Sequence, residues 1–192
     1  MRKYHPLLLA VCMAAFLCLW SVTANALTLK KGYYRTGELQ WEGNYVDGKW
    51  YGPLKEYYRN GNVKRECTYS PEGVLNGPIR CYYDSGVRNW EGNYFHGRLD
   101  GIVKKYYENG NLKDELPYKS GKKEGLIRHY YKNGILQWEC YSVNDRCQGV
   151  MKEYFSTGRL ERESLYKDGV LIDRRNAGKA HYSKNKKKKK RN

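Results

Sequence analysis

The sequence predicts an all-β fold: an elongated antiparallel meander of about six tandem β-hairpins, ending in a disordered basic C-terminal tail. Three observations predict it. Aromatic pairs begin at Tyr33, Tyr57, Tyr82, Tyr106, Tyr130 and Tyr154, at steps of 24, 25, 24, 24 and 24 residues. Each pair is followed at fixed distance by a glycine (Gly37, Gly61, Gly86, Gly110, Gly134, Gly158) and then a glutamate (Glu42, Glu66, Glu91, Glu115, Glu139, Glu163). After residue 26, no helix-length stretch places apolar residues three and four apart. A fixed short period marks units that bury their surfaces on their neighbours.

The first 26 residues stand outside that period. MRKYH carries two basic residues, an apolar run follows from Leu7 to Trp20, and Ala24-Asn25-Ala26 supplies small residues at a cleavage position. This is the layout of a signal peptide, and the run is short for a membrane span of about 20 residues. Export to the periplasm, the cell envelope or the medium is therefore expected, with an uncleaved anchor as the alternative. Residues 27–173 then form the repeat array and 174–192 the tail.

Within each unit, Asn60-Gly61, Asn109-Gly110 and Asn133-Gly134 are dipeptides favoured by the two-residue type I′ turn. A turn at Asn60-Gly61 would pair Tyr58 with Val63, Tyr57 with Lys64 and Lys55 with Glu66. Alternation along the strands then puts the second aromatic, Val63, Cys67 and Tyr69 on one face. The first tyrosine, the glutamate and charged residues such as Lys64 fall on the other. Two strands per unit at about 4.8 Å give a sheet on the order of 60 Å long, with unpaired strands at both ends.

Formal charge is +16, from 36 Lys and Arg against 20 Asp and Glu. Arg174 to Asn192 holds 10 basic residues and no acid, so the preceding body is nearly balanced. The run Lys186, Lys187, Lys188, Lys189, Lys190 and Arg191 repels itself and has no apolar surface to bury. Four cysteines follow the leader: Cys67, Cys81, Cys140 and Cys147. An even count in an exported chain favours disulfides. Local pairs Cys67–Cys81 and Cys140–Cys147 would staple the two irregular connections, with free buried thiols as the alternative. Their spacing does not match paired zinc ligands, and no cofactor or metal is expected.

The unit YY-x-NG-x-L-x-x-E-x-x-Y-x-x-G-x-x-x-G, running from Tyr33 to Gly169, resembles the MORN repeat in its bacterial variant form, found in YwqK-family antitoxins. The resemblance implies an antiparallel hairpin array with a binding or scaffolding role toward protein or lipid partners, and an antitoxin- or immunity-like function.

Six equivalent glutamates suggest acceptors in a hydrogen-bonded ladder rather than an acid–base pair, because a catalytic site breaks symmetry. No serine triad, HExxH or phosphate-cradling glycine loop occurs, and an enzyme is not expected. Trp41, Trp90 and Trp138 fill one slot in the first, third and fifth units, where the others carry Arg65, Asp114 and Arg162. They would form a row spaced by about 20 Å, serving either a protein partner or core packing. The basic run suggests anionic membrane or an envelope polymer, about 1 kcal/mol per basic residue near a charged bilayer. Nucleic acid is disfavoured by export. Two functions follow: a scaffold binding a protein partner, or a peripheral envelope protein held by its tail.

Overall fold

Fifteen strands make up most of residues 27–177, the part of the chain described by the computed structural model. They are β1 (Thr28–Tyr33), β2 (Leu39–Val46), β3 (Lys49–Tyr57), β4 (Val63–Tyr69) and β5 (Gly77–Tyr82). Next come β6 (Arg88–Phe95), β7 (Arg98–Leu99), β8 (Gly101–Tyr106), β9 (Leu112–Lys119) and β10 (Lys122–Lys123). The last five are β11 (Gly125–Tyr130), β12 (Leu136–Val143), β13 (Arg146–Tyr154), β14 (Leu160–Lys167) and β15 (Val170–Asn176). Thirteen lie side by side in chain order in one open antiparallel sheet, with the two-residue β7 and β10 attached to β6 and β9. Twelve spacings of about 4.8 Å make the array on the order of 58 Å long. The predicted all-β meander is the observed fold. Its last strand passes the expected boundary at Asp173 and supplies the first half of a seventh unit. Residues 1–26, where a leader is expected, and the basic run Lys186 to Arg191 lie outside the described residues.

The turns are exchanged relative to the sequence reading. At Asn60-Gly61 the Gly61 amide donates to Tyr58 O (2.8–3.0 Å across the six units), and the Tyr58 amide donates to Asn62 O. Gly61 has φ +84°, while Asn60 stays at negative φ. This is a type I turn closed by a left-handed glycine, a three-residue loop with a bulge. Tyr57 consequently pairs with Val63, leaving Lys64 in the bulge, and regular pairing resumes at Glu56–Arg65 and Lys55–Glu66. The expected Lys55–Glu66 pair stands; Tyr57–Lys64 and Tyr58–Val63 do not. Asn60 acts instead through its side chain, whose Oδ1 accepts from the Asn62 amide at 2.9 Å.

Two-residue turns with both φ positive occur at the junctions between units. Asp47-Gly48 (φ 48° and 79°) joins Val46 to Lys49, and Asp168-Gly169 does the same for Lys167 and Val170. Between the second and third units the extra residue makes the connection a three-residue turn, with Gly73 N donating to Ser70 O.

The core is one residue wide. Leu54, Cys67, Ile79, Val103, Leu116, Ile127 and Cys140 are 3–7% exposed and form a spine across consecutive strands. They gather into two clusters, Leu54–Cys67–Ile79 and Val103–Leu116–Ile127. Burying each aliphatic contributes about 1.5–3 kcal/mol. Larger side chains flank the spine: Trp50, Tyr69, Tyr94 and Tyr118 on one side, Trp90 and Trp138 on the other. Glycine occupies the spine where the opposite residue leans across it. A Cβ on Gly92 would sit 2.9 Å from Val103 Cγ2, and one on Gly43 2.6 Å from Leu54 Cδ1.

Tyrosine hydroxyls tie unit to unit. The second aromatic of each of the first five units donates to the carbonyl of the next unit's first tyrosine. These bonds are Tyr34 to Tyr57, Tyr58 to Tyr82, Tyr83 to Tyr106, Tyr107 to Tyr130 and Tyr131 to Tyr154, at 2.6–2.8 Å. The sixth unit has Phe155 in this slot, where Ala177 replaces the tyrosine of a seventh unit. The hydroxyl is missing where the array stops.

Candidate binding surfaces of the sheet

On the glutamate face, register places charges of alternating sign on every one of the thirteen strands. The row runs Lys31, Glu42, Lys55, Glu66, Arg80, Glu91, Lys104, Glu115, Arg128, Glu139, Lys152, Glu163, Arg175. Close pairs include Lys31–Glu42 (3.3 Å), Lys55–Glu66 (3.2 Å), and Arg128 between Glu115 (3.5 Å) and Glu139 (3.6 Å).

Each first tyrosine, from the second unit on, adds a hydroxyl donor to the preceding unit's glutamate. Tyr57 reaches Glu42 at 2.7 Å, Tyr82 reaches Glu66 at 3.2 Å and Tyr106 reaches Glu91 at 2.6 Å. Tyr130 reaches Glu115 at 3.1 Å and Tyr154 reaches Glu139 at 3.3 Å. The Tyr57 bond and Lys31 hold the Glu42 carboxyl below its usual range. Burial, then the bond to the carboxylate, pushes Tyr57 and Tyr106 up to about 12. Five of the six glutamates are thus acceptors in a ladder, as the symmetry of the repeat suggested.

The opposite face carries the tryptophans. Trp41, Trp90 and Trp138 lie on β2, β6 and β12, four strand spacings or about 19 Å apart. All three are half-buried. Trp41 packs edge-on against Trp50 with centroids 5.0 Å apart and lies over Gly32. Trp90 bridges the two core clusters, between Cys81 and Lys105. Trp138 stacks on His129, with centroids 5.5 Å apart. Polar pairs continue the row, Glu56–Arg65 at 2.6 Å and Asp114–His129 between the tryptophans and Glu153–Arg162 beyond Trp138. The Arg162 hydrogen bond holds the Glu153 carboxyl below its usual range. The tryptophans therefore pack at the rim of the spine and present their remaining surface outward. No second layer covers this face among the described residues.

The cysteines fall into the two expected neighbourhoods as thiols. Cys81 packs against buried Cys67, on strands joined by the Arg65–Cys81 register pair. Cys140 and Cys147 share a thiol hydrogen bond across β12 and β13. Burial pushes the Cys81 thiol up to about 11 and the Cys140 thiol up to about 12.

One surface was missed by the sequence reading. Beside the charge row, on the same face, Ile102, Pro117, Leu126, Tyr141, Val150 and Leu165 line up on six consecutive strands. Ile102 is 59% exposed, Tyr141 and Val150 49%, Leu165 42% and Leu126 37%. The signal is two residues after each glutamate: Asn44, Thr68 and Asn93 in the first three units become Pro117, Tyr141 and Leu165 in the last three.

No curated protein matches the chain. The MORN repeat variant family model matches residues 50–70, 99–120 and 148–168, the hairpins β3–β4, β8–β9 and β13–β14. These are the second, fourth and sixth units, those without tryptophan in the shared slot. The three matched hairpins are MORN repeat variants, and the units between them repeat the same strand pairing, turns and tyrosine bonds.

Proposed function

We propose that the protein is an exported, non-enzymatic repeat scaffold that seats a protein partner on its tryptophan face, in the manner of a YwqK-like antitoxin or immunity protein. The observation that carries this reading is the row Trp41, Trp90 and Trp138, half-buried on a face that no other described residues cover, with Arg65 and His129 between them and Arg162 beyond. Tryptophan, tyrosine and arginine on a fixed backbone are the residues that dominate binding energy at protein interfaces. Rigid anchors also lose little entropy on association. The leader layout supports export, and the even cysteine count supports two local disulfides, Cys67–Cys81 and Cys140–Cys147, in an oxidising compartment.

A photo-crosslinking amino acid at Trp90 in producing cells tests the reading. It is expected to join the chain to one defined protein, whereas the same group at Glu108, in a turn, is not. Equal labelling from both positions, or none from Trp90, would overturn it. A second reading rests on the run Lys186 to Arg191: attachment of the scaffold to an anionic membrane or envelope polymer. Deleting residues 178–192 separates the two. Loss of envelope association with crosslinking at position 90 intact supports attachment by the tail, and unchanged fractionation removes it.

A further inference from the structure

The face opposite the tryptophans is complementary to itself. The apolar stripe has six members on six adjacent strands, Ile102, Pro117 and Leu126 on one side of the boundary between β11 and β12, and Tyr141, Val150 and Leu165 on the other. The charge row alternates across the same boundary, with Glu91, Lys104, Glu115 and Arg128 before it and Glu139, Lys152, Glu163 and Arg175 after it. We infer that two copies of this chain pack face to face on this surface, about a two-fold axis that runs parallel to the strands between β11 and β12.

That operation reverses the order of strands and leaves position along each strand unchanged, so stripe meets stripe and charge row meets charge row. Leu126 comes over the second copy's Tyr141, Pro117 over its Val150, and Ile102 over its Leu165. The same operation sets Arg128 over Glu139, Glu115 over Lys152, Lys104 over Glu163 and Glu91 over Arg175. Every charge meets its opposite. Moving the axis by half a strand spacing would set like charges together, so an alternating row also fixes the register.

Sheets packed in this way stand about 10 Å apart, within reach of Lys, Arg and Glu side chains from both sides. The interface is isologous and closed, as two-fold interfaces are. Six strands by about five residues give roughly 500 Å² from each copy, about 1,000 Å² in all, the lower range for a specific complex. In the first three units the same row alternates Leu29, Pro53 and Pro78 with the polar Asn44, Thr68 and Asn93, so the continuous apolar stripe is confined to the C-terminal half. The tryptophan faces point outward on both sides, so the inference is independent of the partner assigned to them.

Full-length protein in analytical ultracentrifugation is expected to show a concentration-dependent equilibrium between one and two chains. Leu126→Lys with Val150→Lys, both at exposed positions, is expected to leave single folded chains. Glu115→Lys alone, which would face Lys152 of the second copy and also loses its in-chain partners Arg128 and Tyr130, is compared as protein whose circular dichroism shows it folded, and is expected to weaken association by roughly tenfold or more. Lys152→Glu alone does the same. Mixing these two single variants restores the pair, because each substituted charge then meets its complement. Residues 115 and 152 lie on β9 and β13, which are not neighbours in one chain, so the rescue reports contact between chains. Three results would each overturn the inference: a wild-type mass of one chain at the highest soluble concentration, a pair indifferent to the lysine substitutions, or variants that do not rescue each other. A photo-crosslinker at position 126 that captures only another protein would overturn it as well.

Discussion

Replacing Tyr107 by phenylalanine removes one hydroxyl and leaves the ring. That hydroxyl donates to the carbonyl of Tyr130 at 2.6 Å and links the fourth unit to the fifth. A neutral hydrogen bond contributes about 0.5–1.5 kcal/mol net, and a carbonyl left unpaired raises the cost toward about 1–3 kcal/mol. The site is half-buried, so water replaces part of the loss, and a destabilisation of about 1 kcal/mol is expected. For a chain of this length that corresponds to about 2–4 °C in melting temperature. Urea unfolding followed by circular dichroism measures it, with an unchanged slope showing that the unfolded surface is the same. The control lies at the end of the array. Phe155→Tyr restores the repeat's hydroxyl, but its acceptor would be the Ala177 carbonyl just past the edge strand β15 rather than a carbonyl held in a paired hairpin, and it should change stability by no more than about 0.5 kcal/mol. Tyr83→Phe combined with Tyr131→Phe should cost about the sum of the two, because the sites are two units apart. If Tyr107→Phe is neutral, or Phe155→Tyr stabilises as much as Tyr107→Phe destabilises, the hydroxyls are not the links between units.

Gly92→Ala sets a methyl 2.9 Å from Val103 Cγ2 in the spine, and overpacking of this kind costs about 1–3 kcal/mol, read as a lower urea midpoint. At high pH, Tyr57 and Tyr106 titrate near 12 in the folded chain against 10.0 when free. The unfolded chain loses these protons first, so the stability they contribute is complete below pH 10.0 and is lost as pH rises toward about 12. Tyr57→Phe with Tyr106→Phe should flatten the decline of the urea midpoint across that window. Exported protein, denatured without reduction, should show no reactive thiol and four after reduction, counting the cysteines that follow the leader. Four thiols before reduction would remove the staple, which adds roughly 3 kcal/mol for a loop of about 15 residues such as 67–81.

The period, the two faces and the ladder of glutamates were legible because each is written in spacing. Lys55–Glu66 pairs as spacing predicts because it lies beyond the bulge. The turns were misplaced because each unit carries two turn sequences and dipeptide preference does not rank them. Asn60 is used for its side chain, which caps its own loop and donates to Asp84 O of the next unit at 2.8 Å. That second bond exists only once the array is assembled. The tryptophan slot was visible, but His129 under Trp138 and the bridging position of Trp90 follow from strand register. The apolar stripe was missed for a related reason. Ile102 and Leu126 follow the glycines that open β8 and β11, Val150 follows Gly149 within β13, and Pro117, Tyr141 and Leu165 stand two residues after glutamates. Nothing in the sequence sets these two groups side by side until the strands are paired.

A sheet of one layer has to hold itself together sideways. Each unit buries about one aliphatic residue or cysteine, too little for a hairpin to stand alone. The remaining stabilisation comes from bonds that cross unit boundaries: tyrosine to carbonyl, tyrosine to glutamate, and Asn60, Asn109 and Asn133 to the next turn. These bonds fix the residues that recur in every unit, and they leave two rows that vary from unit to unit, one of them still crossing hairpins at Trp90 and at the Asp114–His129 pair. One is the slot that alternates tryptophan with Arg65, Asp114 and Arg162. The other follows each glutamate by two positions and changes from polar to apolar at the fourth unit. Variable rows are where an array of nearest-neighbour contacts can acquire partners without loss of fold. Substitutions at the tyrosines and glutamates should therefore move stability, those at Leu126 or Tyr141 should move association, and those at Trp90, which packs on both core clusters, should move both. The two rows lie on opposite faces, which allows one scaffold to pair with its own copy and still offer its tryptophans to another protein.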